Sequence, residues 1–313
     1  MASNGGKLAF VFPGQGSQYV GMGKALADRF SAAKETLQEA DRALGFPLSE
    51  ICFHGPEDKL KLTENTQPAI LAVSIAALRV LQSETSLTPD FVAGHSLGEY
   101  SALVGAGALQ FADAVRVVRT RGRLMQEAVP EGTGAMAVIL GLGHEIVRAI
   151  CESARGTEVV TPANYNGGGQ IVIAGHRSAV ERAMLLARER GAKRAMELPV
   201  SAPFHCPLMQ PAAQGLERVL ESVEVRPFRI GVVTNVEAEV NSDPARVKSL
   251  LIEQAVRPVR WEESVQKLSQ LGCARIVEVG PGKILKGLIR RISPDLQVDS
   301  FESPEDLSRL AAG

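Results

Sequence analysis

Apolar positions recur along the chain with two different periods. Short aliphatic runs at 7–12, 91–93, 230–234 and 275–279 are bounded by turn residues and predict buried strands. Between them, segments 67–82, 111–128, 244–255 and 261–271 repeat apolar residues at helical spacing and predict amphipathic helices. Asp243-Pro244 marks one helix start, an N-cap acid followed by proline in the first turn. Strands alternating with helices imply an α/β architecture with a mostly parallel sheet.

The middle of the chain has a different rhythm. From Gly134 the pattern predicts a strand (135–140), a helix (145–153), two strands (158–162 and 170–174), a helix (179–190) and a strand (194–199). That β-α-β-β-α-β order is ferredoxin-like. Residues 132–200 are therefore expected to form a small subdomain inserted into a larger lobe built from 1–131 and 201–313. A cleft between two such lobes is a common place for a ligand.

Composition narrows the classes. Lys plus Arg is 34 and Asp plus Glu is 35 in 313 residues, so the basic excess of a dedicated nucleic-acid binder is missing. The most apolar stretch, 69–81, is too short to span a membrane and contains Arg79. The start, MASNGG, lacks the basic and apolar regions of a signal peptide. The four cysteines form no CxxC pair and no zinc-like group with the five histidines, so free thiols, no metal site and a cytoplasmic setting are expected.

The strongest chemical signal is Gly94-His95-Ser96-Leu97-Gly98, which follows an apolar run and precedes a helical pattern. GxSxG between strand and helix is a nucleophile elbow: small flanking residues let the two elements approach while the serine occupies a strained turn. The large lobe is accordingly expected to be α/β-hydrolase-like. Oγ of Ser96 would lie at a helix N-terminus, with the Leu97 N–H facing a developing oxyanion. Of the histidines, His205 lies downstream at the return into the large lobe, so it is the candidate base, with a structural histidine as the alternative. His144 and His176 open helices of the small subdomain and read as solvated loop residues, and His54 sits in a turn. The segment Phe12-Pro13-Gly14-Gln15-Gly16-Ser17 follows the first strand and completes neither a P-loop nor a GxGxxG pattern, so a second oxyanion donor there fits better than a nucleotide site. Gly280-Pro281-Gly282-Lys283 likewise reads as a plain strand-to-helix turn.

Arg121 falls within the apolar stripe Ala114, Val117, Val118, Leu124, Met125 and Ala128, whereas Arg116, Arg119 and Arg123 fall off it. A cation on a core face needs an anionic partner, either an internal Asp or Glu or a substrate carboxylate gripped by the guanidinium fork. Gln254 sits among Val247, Leu250, Leu251 and Ala255 in the same way, and is either a lobe-packing amide or a site residue.

Taken together, Phe12-Pro-Gly-Gln-Gly-Ser, Gly94-His-Ser-Leu-Gly-Glu-Tyr-Ser-Ala-Leu, Ser201-Ala-Pro-Phe-His205 and Val279-Gly-Pro-Gly resemble the malonyl-CoA:acyl carrier protein transacylases of fatty-acid synthesis, from about residue 7 to residue 292. Acyltransferase domains of polyketide synthases look similar, and a trans-acting polyketide acyltransferase is one alternative. The resemblance implies Ser96 as nucleophile, His205 as base, and N–H groups of Gln15 and Leu97 as the oxyanion hole. It implies that Arg121 binds the malonyl carboxylate, that the carbonyl of Gln254 orients the imidazole, and that Asn166, in an Asn164–Asn166 loop, contacts substrate. The expected partners are malonyl-CoA and an acidic acyl carrier protein, which basic residues of a terminal helix (283–291) would dock. No cofactor is expected, and a monomer is. A serine hydrolase (thioesterase or patatin-like lipase) and a non-catalytic binding module are the rival classes.

Overall fold

The computed structural model describes residues 6–200 and 202–311, so Ser201 of the third motif and the MASNG start lie outside the described residues. Among the described residues, ten strands form two sheets. The first holds β1 (Lys7–Phe12), β2 (Phe91–Gly94), β7 (Gly231–Val233), β8 (Val240–Asn241), β9 (Cys273–Val279) and β10 (Gln297–Phe301), in the order β10-β9-β1-β2-β7-β8. Every pairing is parallel except β7 with β8. Along β1, Phe10 and Phe12 enter one core while Ala9 and Val11 enter another, so the strand is buried on both faces and reads as a continuous apolar run.

One face is covered by helix Thr63–Glu84, which packs between helices Ser31–Leu44 and Phe111–Glu127. From Gln67 to Leu78 every residue of it is buried. No helix among the described residues is long and apolar enough to cross a membrane.

The second sheet is antiparallel, in the order β4-β5-β3-β6, from β3 (Gly134–Leu140), β4 (Val160–Gly167), β5 (Gln170–His176) and β6 (Arg194–Glu197). Helices His144–Arg155 and Arg177–Glu189 cover one face, over Ala135, Ala137, Ile139, Ile171 and Ile173. The other face presents Met136, Val138 and Val172 to Met125 and Phe204 of the first lobe. That face is one wall of the cleft.

Two expectations need correction. Asn164–Asn166 is not a loop: β4 runs on to Gly167, because Asn164, Tyr165 and Gly167 pair with β5, with an irregularity at Asn166, and Val259 exchanges backbone hydrogen bonds with Ala163 and Tyr165 across the lobes (both 2.9 Å). Nor is the basic helix terminal. It spans Ile284–Ile292 and is followed by β10 and helix Asp306–Ala311. The sequence of β10, QVDSF, has too few apolar positions to stand out, although Val298 and Phe301 are buried.

Candidate active site

The elbow forms where β2 leaves the sheet. A Cβ on Gly94 would lie 1.9 Å from the Gly98 carbonyl, and one on Gly98 would lie 2.1 Å from the Phe12 oxygen. Strand and helix thus touch backbone to backbone, and Ser96 between them is held at a φ of 51°. Its peptide groups are pinned from outside the turn. The Ser96 N–H donates to Asn235 Oδ1 (2.7 Å), and Gln254 Nε2 donates to the Ser96 carbonyl (3.0 Å).

His205 meets Ser96 across the cleft. Ser96 Oγ lies 2.7 Å from His205 Nε2, and His205 Nδ1 lies 2.8 Å from the Gln254 carbonyl oxygen. A carbonyl only accepts, so Nδ1 carries the proton and Nε2 is free to accept one from the serine. The ring is 3% exposed. Burial, and then the positive Arg121, bring its pKa down to about 3, so the imidazole is neutral at ordinary pH and suited to act as a base.

Arg121 extends from helix Phe111–Glu127 to the same point. Nη1 donates to Gln67 Oε1 (2.8 Å), while Nη2 donates to Gln254 Oε1 (2.9 Å) and to Ser96 Oγ (3.2 Å). Its Nε, also buried, has no hydrogen-bond partner among the described residues. The internal acid that a core arginine would ordinarily require is missing: no Asp or Glu among the described residues forms an ion pair with it. The fork is held instead by two neutral amides and by the face of Tyr100, 5.5 Å from its centroid. Gln254 is therefore a site residue as well as a buried packing residue.

A cavity of about 560 Å³ opens above these groups, lined by Gln15, Ser96, Leu97, Arg121, Asn166 and His205, with Met125, Met136, Val138 and Val172 as its apolar side. The backbone N–H groups of Gln15 and Leu97 have no hydrogen-bond partner among the described residues. Asn166 reaches the cavity from β4, where its Oδ1 accepts from His95 Nε2 (2.9 Å). His95 turns away from the serine to lie against Trp261.

The other histidines are remote from the serine. His144 and His176 open helices as their sequence context suggests, but they are half-buried and tied down: His144 pairs with Glu262 and stacks on Tyr165, and His176 accepts the Val159 N–H. His54 is exposed beside Glu50. All four cysteines are buried and unpaired, and burial raises Cys206, next to His205, to about 12.

Three participants escape the sequence reading: Gln67, Glu99 and Asn235. Asn235 just follows β7, at the carboxyl end of a parallel strand, and that position was the available signal. Glu99 was visible within the elbow motif but carried no distinguishing feature.

The chain matches the acyl transferase domain family over residues 9–294. A malonyl CoA-acyl carrier protein transacylase from Bacillus subtilis is 49% identical over 304 residues, covering 96% of this chain and 95% of that protein. The crystal structure of an acyl-carrier-protein S-malonyltransferase from Burkholderia pseudomallei superposes with a TM-score of 0.96 at 48% identity, over 98% of this chain and 100% of that one. A malonyl-transacylase solved in complex with its type II PKS acyl-carrier protein gives 0.94 at 45% identity, over 96% and 98%.

Proposed function

The chain belongs to the acyl transferase domain family, among its malonyl CoA-acyl carrier protein transacylases, and on that premise we propose that it carries malonyl from malonyl-CoA to the phosphopantetheine thiol of an acyl carrier protein, for fatty-acid elongation. Ser96 Oγ attacks the thioester carbonyl while His205 Nε2 takes its proton. The oxyanion forms against the N–H groups of Gln15 and Leu97. It collapses by breaking the C–S bond, and His205 returns the proton to the departing CoA thiolate. The malonyl-serine ester is then opened by the carrier thiol, whose proton passes to His205 and on to Ser96. Acyl and proton transfer call on no metal or redox group.

The observation that carries this reading is Arg121: a buried cation beside the nucleophile, hydrogen-bonded among the described residues to amides and a hydroxyl and to no carboxylate, with room above it. It suits an acyl group that brings its own carboxylate, held by the fork. Asn166 would contact the arm behind the thioester.

The carrier protein is proposed to dock at helix Ile284–Ile292, which lines the cavity mouth through Ile284, Leu285 and Leu288. Lys283 is paired with Glu302 and Arg291 bonds Gln170, which leaves Lys286 and Arg290 for an acidic partner. Residues 132–200 are taken as the inserted lobe, the chain as a monomer whose site needs no second copy, and the cytoplasm as its setting.

Mass spectrometry after mixing with malonyl-CoA, acetyl-CoA and methylmalonyl-CoA tests the whole. A malonyl adduct on Ser96 that discharges onto phosphopantetheinylated carrier protein is expected. Free malonate with no transfer would mean a hydrolase.

A further inference from the structure

One acid is buried beside this site without a part in the proposed chemistry. Glu99, in the first turn after the elbow, is 2% exposed. Its Oε2 accepts from Gln254 Nε2 (2.6 Å) and from the Asn235 N–H (3.2 Å). Those two residues are the ones that pin Ser96: Asn235 Oδ1 holds the serine N–H, and Gln254 Nε2 holds the serine carbonyl. Gln254 also presents its backbone oxygen to His205 and its side-chain oxygen to Arg121.

An amide can sit either way round, and here two charges choose. A guanidinium only donates and a carboxylate only accepts, so the Gln254 oxygen must face Arg121 and its nitrogen must face Glu99. We propose that Glu99, as a carboxylate, is the positioning residue of this site, fixing Gln254 and Asn235 so that elbow, base and guanidinium share one arrangement. The inference rests on the transferase reading above. It also accounts for the empty side of Arg121. The balancing negative charge stands one amide away, near enough to offset a buried cation and too far to occupy the fork. A carboxylate directly on the guanidinium would compete with the acyl donor's own.

Protonation would undo this. A carboxylic acid is a weaker acceptor, and one of its oxygens becomes a donor. Burial raises Glu99 to about 7, against the opposing pull of Gln254, Asn235 and Arg121. Arg121 and the neighbouring Tyr100 phenol are the charged or titratable groups acting on it, and His205 stands one residue removed, through Gln254. Burial and Arg121 hold the His205 imidazole neutral, so an acid limb that disappears in Glu99→Gln belongs to Glu99.

The test is the rate of Ser96 acylation by malonyl-CoA, measured by rapid quench from about pH 5.5 to 8.5, in the wild-type chain and in Glu99→Gln. The wild-type rate should fall up to tenfold per pH unit below about 7. Glu99→Gln should be at least about tenfold slower at the alkaline end and flat with pH, a change that simple loss of folded protein would not produce. A variant with the wild-type rate, or with its acid limb intact, overturns the proposal. So does a pH-independent wild-type rate, which keeps the question decidable should the variant fail to fold. A wild-type chain never acylated at Ser96 overturns the transferase reading and this inference together, whereas acylation indifferent to pH overturns the inference alone.

Discussion

Two glycine-flanked turns of the parallel sheet invite comparison. Each leaves the carboxyl end of a strand and enters a helix, β2 into Gly98–Gly105 and β9 into Ile284–Ile292. At the second turn the helix N-terminus is already satisfied. Glu278 accepts from the Leu285 and Lys286 N–H groups (3.0 and 2.8 Å), and Glu302 accepts from Gly282 (2.8 Å) while pairing with Lys283. At the first turn, Glu99 is just as buried and also raised to about 7, yet it points at Gln254 and Asn235. The Leu97 N–H stays open beside a strained serine. The two turns share a fold position, and where the nearest carboxylate points separates a structural joint from a site that can receive an anion.

The difference can be broken most severely at Arg121, whose charge gives the open turn its use. Arg121→Ala should lower kcat/KM for malonyl-CoA by about 10²–10³-fold, the cost of leaving a carboxylate without its partner, while neutral acyl donors still acylate Ser96. Competition between malonyl-CoA and acetyl-CoA reads this directly, and an unchanged preference for malonyl would dispose of the fork's role.

Backbone substitution separates the two turns by how tightly each is packed. Gly94→Ala drives a methyl into the Gly98 carbonyl and should cost more than about 3 kcal/mol in denaturant unfolding. Gly282→Ala, at a φ of 80° with its nearest neighbour 3.3 Å away, should cost only about 1–2 kcal/mol. Equal costs would mean that the elbow is no tighter than the turn after β9.

The smallest effect is expected on the outer face of the second helix. Lys286→Glu with Arg290→Glu should raise the KM for carrier protein severalfold and more at low salt, and leave Ser96 acylation by malonyl-CoA unchanged. A carrier KM that does not move would clear this helix of any docking role.

The alternation of strands and helices was readable because sheets buried on both faces demand unbroken apolar runs, as in Leu8–Phe12 of β1 and Phe91–Ala93 of β2. The β-α-β-β-α-β order of the second lobe was readable for a similar reason, since its strands and helices switch between periods of two and about 3.6 residues. β10 and the extension of β4 were not. Both rest on pairing with distant partners, Gln297–Phe301 on β9 and Asn164 against Val259, and pairing of that kind leaves little trace in local composition.

The chain alone determined the elbow, because GxSxG describes a steric need of adjacent residues, and it determined that Arg121 would be buried, because helical spacing sets its face. Only the tertiary structure decided which histidine meets the serine and what holds the guanidinium. Gln67 and Gln254 lie 54 and 133 positions from Arg121 in sequence, and Glu99 reaches it only through one of them. Hydrogen bonds over such spans depend on how helices pack, and no local pattern of side chains encodes that.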